Sequence, residues 1–318
     1  MKSIDRKKLS LNASDALLNS KLRKFLAVYE HSNIHKAANE LRISQPALTV
    51  SLKQLEESFG EQLFTRSVQG MSPTAAGDML YRYASSIRQT AKLAAESIVE
   101  ARDGATRKLR VGAGVAWTST ILPSVFAQMR SEYHGLSIDL ISGVGDQLAA
   151  LYSRGEIDLF FSASPVVQYD LADVDRIYLT NLPMIAIADH RNPLAFEKRI
   201  SASDLVAVDW AGFYEDESFV HLSNHYMSVR GLATPRIVMR TNSVAALKAF
   251  VRDSNLISVL VSPLAEDAQQ SGFSLLPLEE PLWDVPMNLF VRQTVHDLPI
   301  VARFIQLVEQ QMHQYSSS

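Results

Sequence analysis

The sequence predicts an α+β multidomain fold: a helical head of roughly one hundred residues, followed by about 210 residues in which strands alternate with helices. Three observations predict it. The chain has 318 residues, which at roughly 150 residues per domain makes about two domains. Hydrophobic spacing is helical up to about residue 103 and then changes to short apolar runs set between turn residues. Charge is also unevenly divided. Residues 1–70 carry 11 Lys and Arg against 7 Asp and Glu, leaving 20 against 27 for the remainder. A basic head on an acidic body is the balance expected of a nucleic-acid-binding domain joined to a non-binding one.

Composition removes several classes. At 47% hydrophobic and 20% charged residues the chain can bury a sizeable core, so wholesale disorder is excluded. No apolar run approaches the ~20 residues of a membrane span, and no membrane partner is expected. The N-terminal run MKSIDRKKLSLNASD is basic with no apolar stretch behind it, unlike a secretory signal, so a cytoplasmic location is expected. The absence of cysteine excludes disulfides, thiolate nucleophiles and Cys-ligated metal.

The elements follow in order. Leu22, Phe25, Leu26 and Tyr29 recur at helical spacing, as do Ala37, Ala38 and Leu41. A third helix is expected on Leu48, Leu52, Leu55 and Phe59, its buried stripe. Asn33 and Ser44 are the expected N-caps of the second and third helices, Pro46 fits the first turn of the third, and Gly60 ends it. Only Arg42-Ile43-Ser44 separates the second helix from the third, a tight turn. Residues 61–74, with Leu63-Phe64 and the breakers Gly70 and Pro73, read as a hairpin or wing. A helix over about 74–102 places Leu80, Ala84, Ile87, Ala91, Ala94 and Ile98 at alternating steps of four and three, a heptad seam suited to a second subunit. Residues 103–106 read as a hinge. Beyond it, strands are expected at 108–112, 137–142, 158–162, 182–188, 205–208, 236–240, 256–261 and 287–292, with helices at 120–130 and 147–154.

Two short helices joined by a tight turn, the second polar on its outer face, form a helix-turn-helix layout. With the stripe from Leu48 to Phe59 inward, Pro46, Val50 and Lys53 point most directly outward and Gln45 and Thr49 lie on the N-terminal flank. Gln45 can pair with adenine, Thr49 with a base edge or phosphate, and Val50 with a thymine methyl. Lys53 suits phosphate or guanine, and Arg66 in the wing suits the backbone or minor groove. Asn33, Ser44 and Pro46, at the starts of the two helices, complete the expected DNA-facing set.

These residues resemble a known family. Phe25-Leu26-Ala27-Val28, then the runs 33–41 and 43–49, 55–66 and Ser72-Pro73-Thr74-Ala75-Ala76-Gly77, are similar in order and spacing to the DNA-binding domain of LysR-type transcriptional regulators. A looser resemblance extends through Glu156-Ile157-Asp158-Leu159 and the run 190–195. The resemblance implies a winged helix-turn-helix, a long dimerisation helix and a two-lobed α/β effector domain like a periplasmic binding protein. On that basis the expected organisation is an N-terminal extension over 1–20, a winged helix-turn-helix over 21–78, a linker and dimerisation helix over 79–104, and an effector domain over 105–318. Its lobe I is expected at about 107–181 and 286–312, and lobe II at about 182–285. The resemblance also implies a homo-oligomer, a dimer of dimers, on palindromic double-stranded DNA. Two departures stand out: Val50 replaces the long polar or basic side chain usual at that position, and no glycine pair occurs near Ser254-Asn255-Leu256.

In two-lobed α/β domains, ligands lie at the carboxyl ends of strands near helix N-termini. The corresponding positions are Trp117, Thr118 and Ser119 after the first strand, Gly143, Ser162 and Ala163, Phe213, and Thr241 and Asn242. By resemblance these loops form the pocket for a small-molecule effector. Glu215-Asp216-Glu217 favours a cationic or neutral effector if it faces inward, and is a solvated edge if it faces out.

Enzyme readings find little support. His221 and His225 are spaced i, i+4 without the Glu of a metalloprotease helix, Asp189-His190 reads as a loop pair, and no phosphate-binding loop or serine elbow is present. No catalytic residue, metal or cofactor is expected. The expected function is sequence-specific, effector-modulated DNA binding. The alternative is a small-molecule-binding protein whose helical head contacts other proteins.

Overall fold

The computed structural model describes residues 17–67, 70–103, 108–163, 171, 173–213 and 217–316. The extension up to residue 16, hinge residues 104–106, and Glu215 and Asp216 lie outside the described residues. The chain divides into two compact units. One is Met1–Arg107 with Leu151–Glu156 and Asp170–Asp173; the other is Lys108–Ala150, Ile157–Tyr169 and Val174–Ser318.

The first unit begins with helices α1 (Ser20–His31), α2 (Ile34–Leu41) and α3 (Gln45–Phe59). Asn19, Asn33 and Ser44 cap them, each side chain accepting backbone N–H groups of the first turn. Asn33 accepts from both His35 and Lys36 at 3.0 Å. Arg42, left-handed at φ 54°, reverses the chain between α2 and α3, and Gly60 at φ 69° ends α3. The buried stripe of α3 is Leu48, Ser51, Leu52 and Leu55. Phe59 departs from the expected stripe: it closes the helix at the Gly60 turn and is 55% exposed, so the apolar contact ends one turn earlier, at Leu55.

Strands β1 (Phe64–Ser67) and β2 (Gly70–Pro73) pair antiparallel as the wing. Glu56 holds its base, accepting the N–H of Leu63 at 2.9 Å and of Phe64 at 3.3 Å. Gly70 takes φ 127°, and a Cβ there would lie 2.7 Å from the Ser32 carbonyl oxygen. Phe25 meets Phe64 across this core with ring centroids 5.4 Å apart.

Helix α4 (Ala75–Asp103) follows, and Gly77 lets it pass against the wing, since a Cβ there would sit 2.2 Å from the Leu63 carbonyl oxygen. Tyr29 stacks on Tyr81 at 3.8 Å and donates to Asp78 at 2.7 Å, while Arg88 binds Glu30 at 2.6 Å. Burial, reinforced by the Asp78 carboxylate, holds the Tyr29 phenol well above its ordinary pKa. The expected seam of α4 is corrected at its first two positions. Ala84 is buried and Leu80 is half-buried against the unit's own core, because that face packs on α1. The uncovered apolar face keeps Ile87 and Ile98 of that seam, exposed by 49% and 69%, and adds Met79 and Tyr83, exposed by 55% and 60%.

The second unit carries β3 (Lys108–Ala113), a π-turn at Trp117–Ile121, α5 (Leu122–Glu132), β4 (Ser137–Ser142), α6 (Gly145–Ser153) and β5 (Leu159–Ala163). After the long strand β6 (Val174–Asp189) come α7 (Ala202–Val206), β7 (Trp210–Phe213), α8 (Glu217–Ser228), β8 (Ile237–Thr241), α9 (Val244–Val251), β9 (Ile257–Val261) and α10 (Ser262–Gln270). Strands β10 (Phe273–Leu275) and β11 (Asp284–Arg292) and helices α11 (Gln293–His296) and α12 (Pro299–Ser316) complete it. The strand order is β4-β3-β5-β11-β6-β9-β7-β8, with β10 beside β6.

Parallel triplets β4-β3-β5 and β8-β7-β9 stand at the two ends, joined by antiparallel β11 and β6. β6 is the pivot: Val174–Pro183 pair with β11, and Met184–Ala188 pair with β9. The strand expected at 205–208 is a correction. Ser201 and Asp204 form a reciprocal capping box that starts α7 there, and the strand begins later, at Trp210. Leu205 is buried as the apolar run implies, but from a helix rather than a strand.

No glycine pair is needed near 254–256. Asp253 takes the left-handed conformation at φ 54° and donates its N–H to Asp189, while the Ser254 hydroxyl donates to Phe250 and accepts from Leu256. Asp189 is 1% exposed and also accepts from the Arg191 backbone and guanidinium, which holds its carboxyl below the usual range. Asp189-His190 is therefore a structural anchor.

Candidate nucleic-acid interface and ligand cavity

Helix α3 presents the expected outer face. Pro46, Val50 and Lys53 are exposed, with Val50 at 56%, and Gln45 and Thr49 are half-buried beside them. An isopropyl group so open to water gains nothing from its own fold, and is free to meet an apolar partner. The Thr49 hydroxyl donates to the Gln45 carbonyl at 3.0 Å, which leaves its oxygen lone pairs and methyl facing outward. Lys53 lies 3.6 Å from Glu57, an exposed pair worth little and easily exchanged for a phosphate. Asn33 and Ser44 spend their side-chain oxygens on capping, so their remaining contribution to an anion is the Asn33 amide N–H2, the Ser44 O–H and the backbone N–H groups at the helix starts. Arg66 pairs with Met71 in the wing; its side chain lies outside the described residues. Sequence reasoning did not single out Lys36, in the first turn of α2, or Arg42, in the turn that follows it, both exposed.

In the second unit, the carboxyl ends of both parallel triplets open on a cavity of about 1140 Å³. Of the expected residues, Trp117, Gly143, Ser162, Phe213, Thr241 and Asn242 line it. Thr118 and Ser119 do not. The π-turn directs Trp117 into the interior at 2% exposure, returns the Thr118 hydroxyl to Val115 at 3.1 Å and leaves Ser119 in solvent. Ala163 ends β5, and its side chain lies outside the described residues.

The lining that sequence reasoning missed is informative. Phe161 stacks on Trp117 at 4.2 Å on one wall, and Phe219 meets Trp283 at 5.8 Å on the other. Among the described residues, Arg240 and Asp146 are the ionisable side chains of the lining. Arg240 immediately precedes Thr241, so the same strand-end argument could have found it. Trp283 had no local signal, since it arrives just before β11 from a distant part of the chain.

His221 and His225 are both exposed on α8, and the described residues hold no group of three or more metal-ligating side chains. No helix among the described residues is long and apolar enough to cross a membrane.

Comparison with known proteins accounts for both regions. The family described as bacterial regulatory helix-turn-helix protein, lysR family, matches residues 20–78, and LysR substrate binding domain matches 102–313. The chain is 27% identical over 256 residues to the HTH-type transcriptional regulator CysL of Bacillus subtilis, covering 80% of this chain and 84% of that one. It is 24% identical over 271 residues to GbpR of Azospirillum brasilense, covering 85% and 79%. Among solved structures, a full-length OxyR variant from Pseudomonas aeruginosa shares the fold at TM-score 0.60 and 20% identity, covering 92% and 93%. CbnR complexed with its target DNA does so at TM-score 0.51 and 22% identity, covering 92% and 98%. With a helix-turn-helix head and a two-lobed ligand-binding body each matched, the chain belongs to the LysR family of bacterial DNA-binding transcriptional regulators.

Proposed function

We propose that the chain reads a palindromic operator through α3 and changes its grip when a small molecule fills the 1140 Å³ cavity. The observation that supports the reading best is the outer face of α3, where Gln45, Thr49, Val50 and Lys53 stand clear of the buried stripe. Gln45 and Thr49 address base edges, Val50 a thymine methyl, and Lys53 the backbone. Pro46 starts the helix, Asn33 and Ser44 contribute donors at the helix starts, and Arg66 extends the contact through the wing.

Two-fold symmetry in an operator requires a symmetric protein. The uncovered face of α4 at Met79, Tyr83, Ile87 and Ile98 supports pairing with the same helix of a second copy, and pairs of such dimers give a tetramer. The protein acts in the cytoplasm, where its DNA is, and carries out no catalysis. Without cysteine, its signal arrives by noncovalent binding rather than by thiol oxidation.

The test is capture of genomic fragments by the purified protein, followed by affinity for the best fragment against salt. A shared palindrome and a log–log salt slope of several units support the reading. No enrichment, with cell extract supplied as a source of effector, overturns it in favour of a ligand-binding protein whose head contacts other proteins. Val50→Arg sharpens the test: the preferred base near this residue changes, whereas an unchanged preference removes the thymine contact.

A further inference from the structure

The cavity walls carry a particular combination of groups. Its body is apolar and aromatic, with Trp117 and Phe161 on the wall formed by β3 and β5 and Phe213, Phe219 and Trp283 on the opposite wall. Five aromatic side chains around one space favour a ring or a similarly broad apolar group between them.

Among the described residues, the two ionisable side chains of the lining have opposite signs and stand on opposite walls. Asp146 is on the wall that carries β4 and α6, and Arg240 is on β8. Neither forms an ion pair among the described residues, and the charges flanking them are matched with one another: Asp139 on β4 with Lys108 on β3, and Arg236 before β8 with Asp209 before β7. A cavity evolved for a simple acid has no use for Asp146, whose carboxylate in the first turn of α6 repels an anion from that helix start. A cavity for a simple amine has no use for Arg240. The hydroxyls nearest the other helix start, Thr118 and Thr120, are turned back onto the Val115 and Ala116 carbonyls, so they do not offer a rival carboxylate site. Beside Arg240, Asn242 also lines the cavity, and the buried indole N–H of Trp283 has no acceptor among the described residues. An unpaired buried donor in a cavity wall calls for an acceptor atom on the ligand.

We infer that the effector is amphoteric: an aromatic or similarly bulky amino acid or amino-acid-like molecule, its carboxylate at Arg240 and its amino group at Asp146. This rests on the reading of the cavity as the effector site. An α-amino acid carries both charged groups on one carbon, so a ligand held by both side chains draws the two walls together and biases one arrangement of the lobes.

The probes are L-phenylalanine, 3-phenylpropanoate, 2-phenylethylamine and the uncharged 3-phenylpropan-1-ol, titrated into the full chain with tryptophan fluorescence as readout. Phenylalanine is expected to bind about five- to tenfold more tightly than either singly charged analogue, as one charge-assisted contact predicts. Arg240→Gln removes its advantage over the amine, and Asp146→Asn removes its advantage over the acid. Both side chains are exposed, so unchanged melting temperatures confirm that the variants are folded. If 3-phenylpropanoate binds as well as phenylalanine and Asp146→Asn changes nothing, the amphoteric assignment is wrong while the cavity remains the effector site. Phenylalanine binding that both variants leave intact places the ligand elsewhere and overturns the inference. Silence from all four compounds overturns the inference, while the reading of the cavity as effector site is decided separately by whether cell extract alters operator binding.

Discussion

Helix α3 and the ligand cavity solve the same problem, presenting chemistry to a partner, in opposite ways. The interface on α3 is a single nine-residue stretch from Gln45 to Lys53, whose outward residues follow from knowing which ones face inward. The cavity gathers residues from the turn after β3 and from β4, α6, β5, β6, β7, α8, β8, β9, α10 and β11 with its approach, spread over about 170 residues. A helix of period 3.6 carries its own geometry, so a local pattern implies a local surface. A crevice between lobes has no local geometry; each wall position is set by strand order and by where the chain returns.

The contrast can be broken by disturbing one region and watching the other. Leu48→Ala removes a fully buried side chain from the stripe beneath the α3 face and is expected to cost about 3 kcal/mol. Its thermal unfolding then shows an early transition with loss of DNA binding, while ligand titration of the cavity is unchanged. A single shifted transition that takes ligand binding with it would show that the two regions do not hold their surfaces independently. Asn33→Ala, which frees the N–H groups of His35 and Lys36, is expected to cost about 1 kcal/mol. Chemical denaturation measures this, and Asn33→Asp restores most of it.

A smaller effect comes from Lys53→Ala, which leaves the fold untouched. It lowers the salt slope of operator binding by about one unit and weakens all sequences alike if Lys53 meets phosphate. If its loss instead relaxes preference at one base, Lys53 reads guanine. The smallest effect belongs to the second unit. There Arg303 on α12 forms two hydrogen bonds of 2.7 Å with Glu132 on α5 and, helped by Gln128, draws its pKa from an ordinary 4.5 to about 2. A depressed carboxylate stabilises the fold above its unfolded pKa and loses that contribution as pH falls through the folded one. The melting-temperature difference between wild type and Glu132→Gln is therefore full at neutral pH, shrinks below about 4.5 and closes near 2. An undiminished difference at pH 2 would contradict the assignment.

Legibility followed the same divide. The caps at Asn33 and Ser44, the Gly60 stop and the outer face of α3 were readable because each depends on residues within one or two turns. The errors came where a distant partner decides. Phe59 fits the apolar period but has nothing left to pack against, and Leu80 and Ala84 serve their own core instead of the α4 seam. Thr118 and Ser119 stand at a strand end yet turn away because the π-turn gives the inward position to Trp117.

By itself the sequence determined the helical head, the alternating body, the charge division between them and the face of α3, because periodicity, capping chemistry and charge are local properties. Tertiary structure alone decided that Arg240 and Asp146 face one cavity from opposite walls, that Trp283 joins Phe219 there, and that Asp253 replaces a glycine at the turn anchored by Asp189. Those pairings join residues 64 to 94 positions apart, and the order of strands around β6, not any local pattern, brings them together.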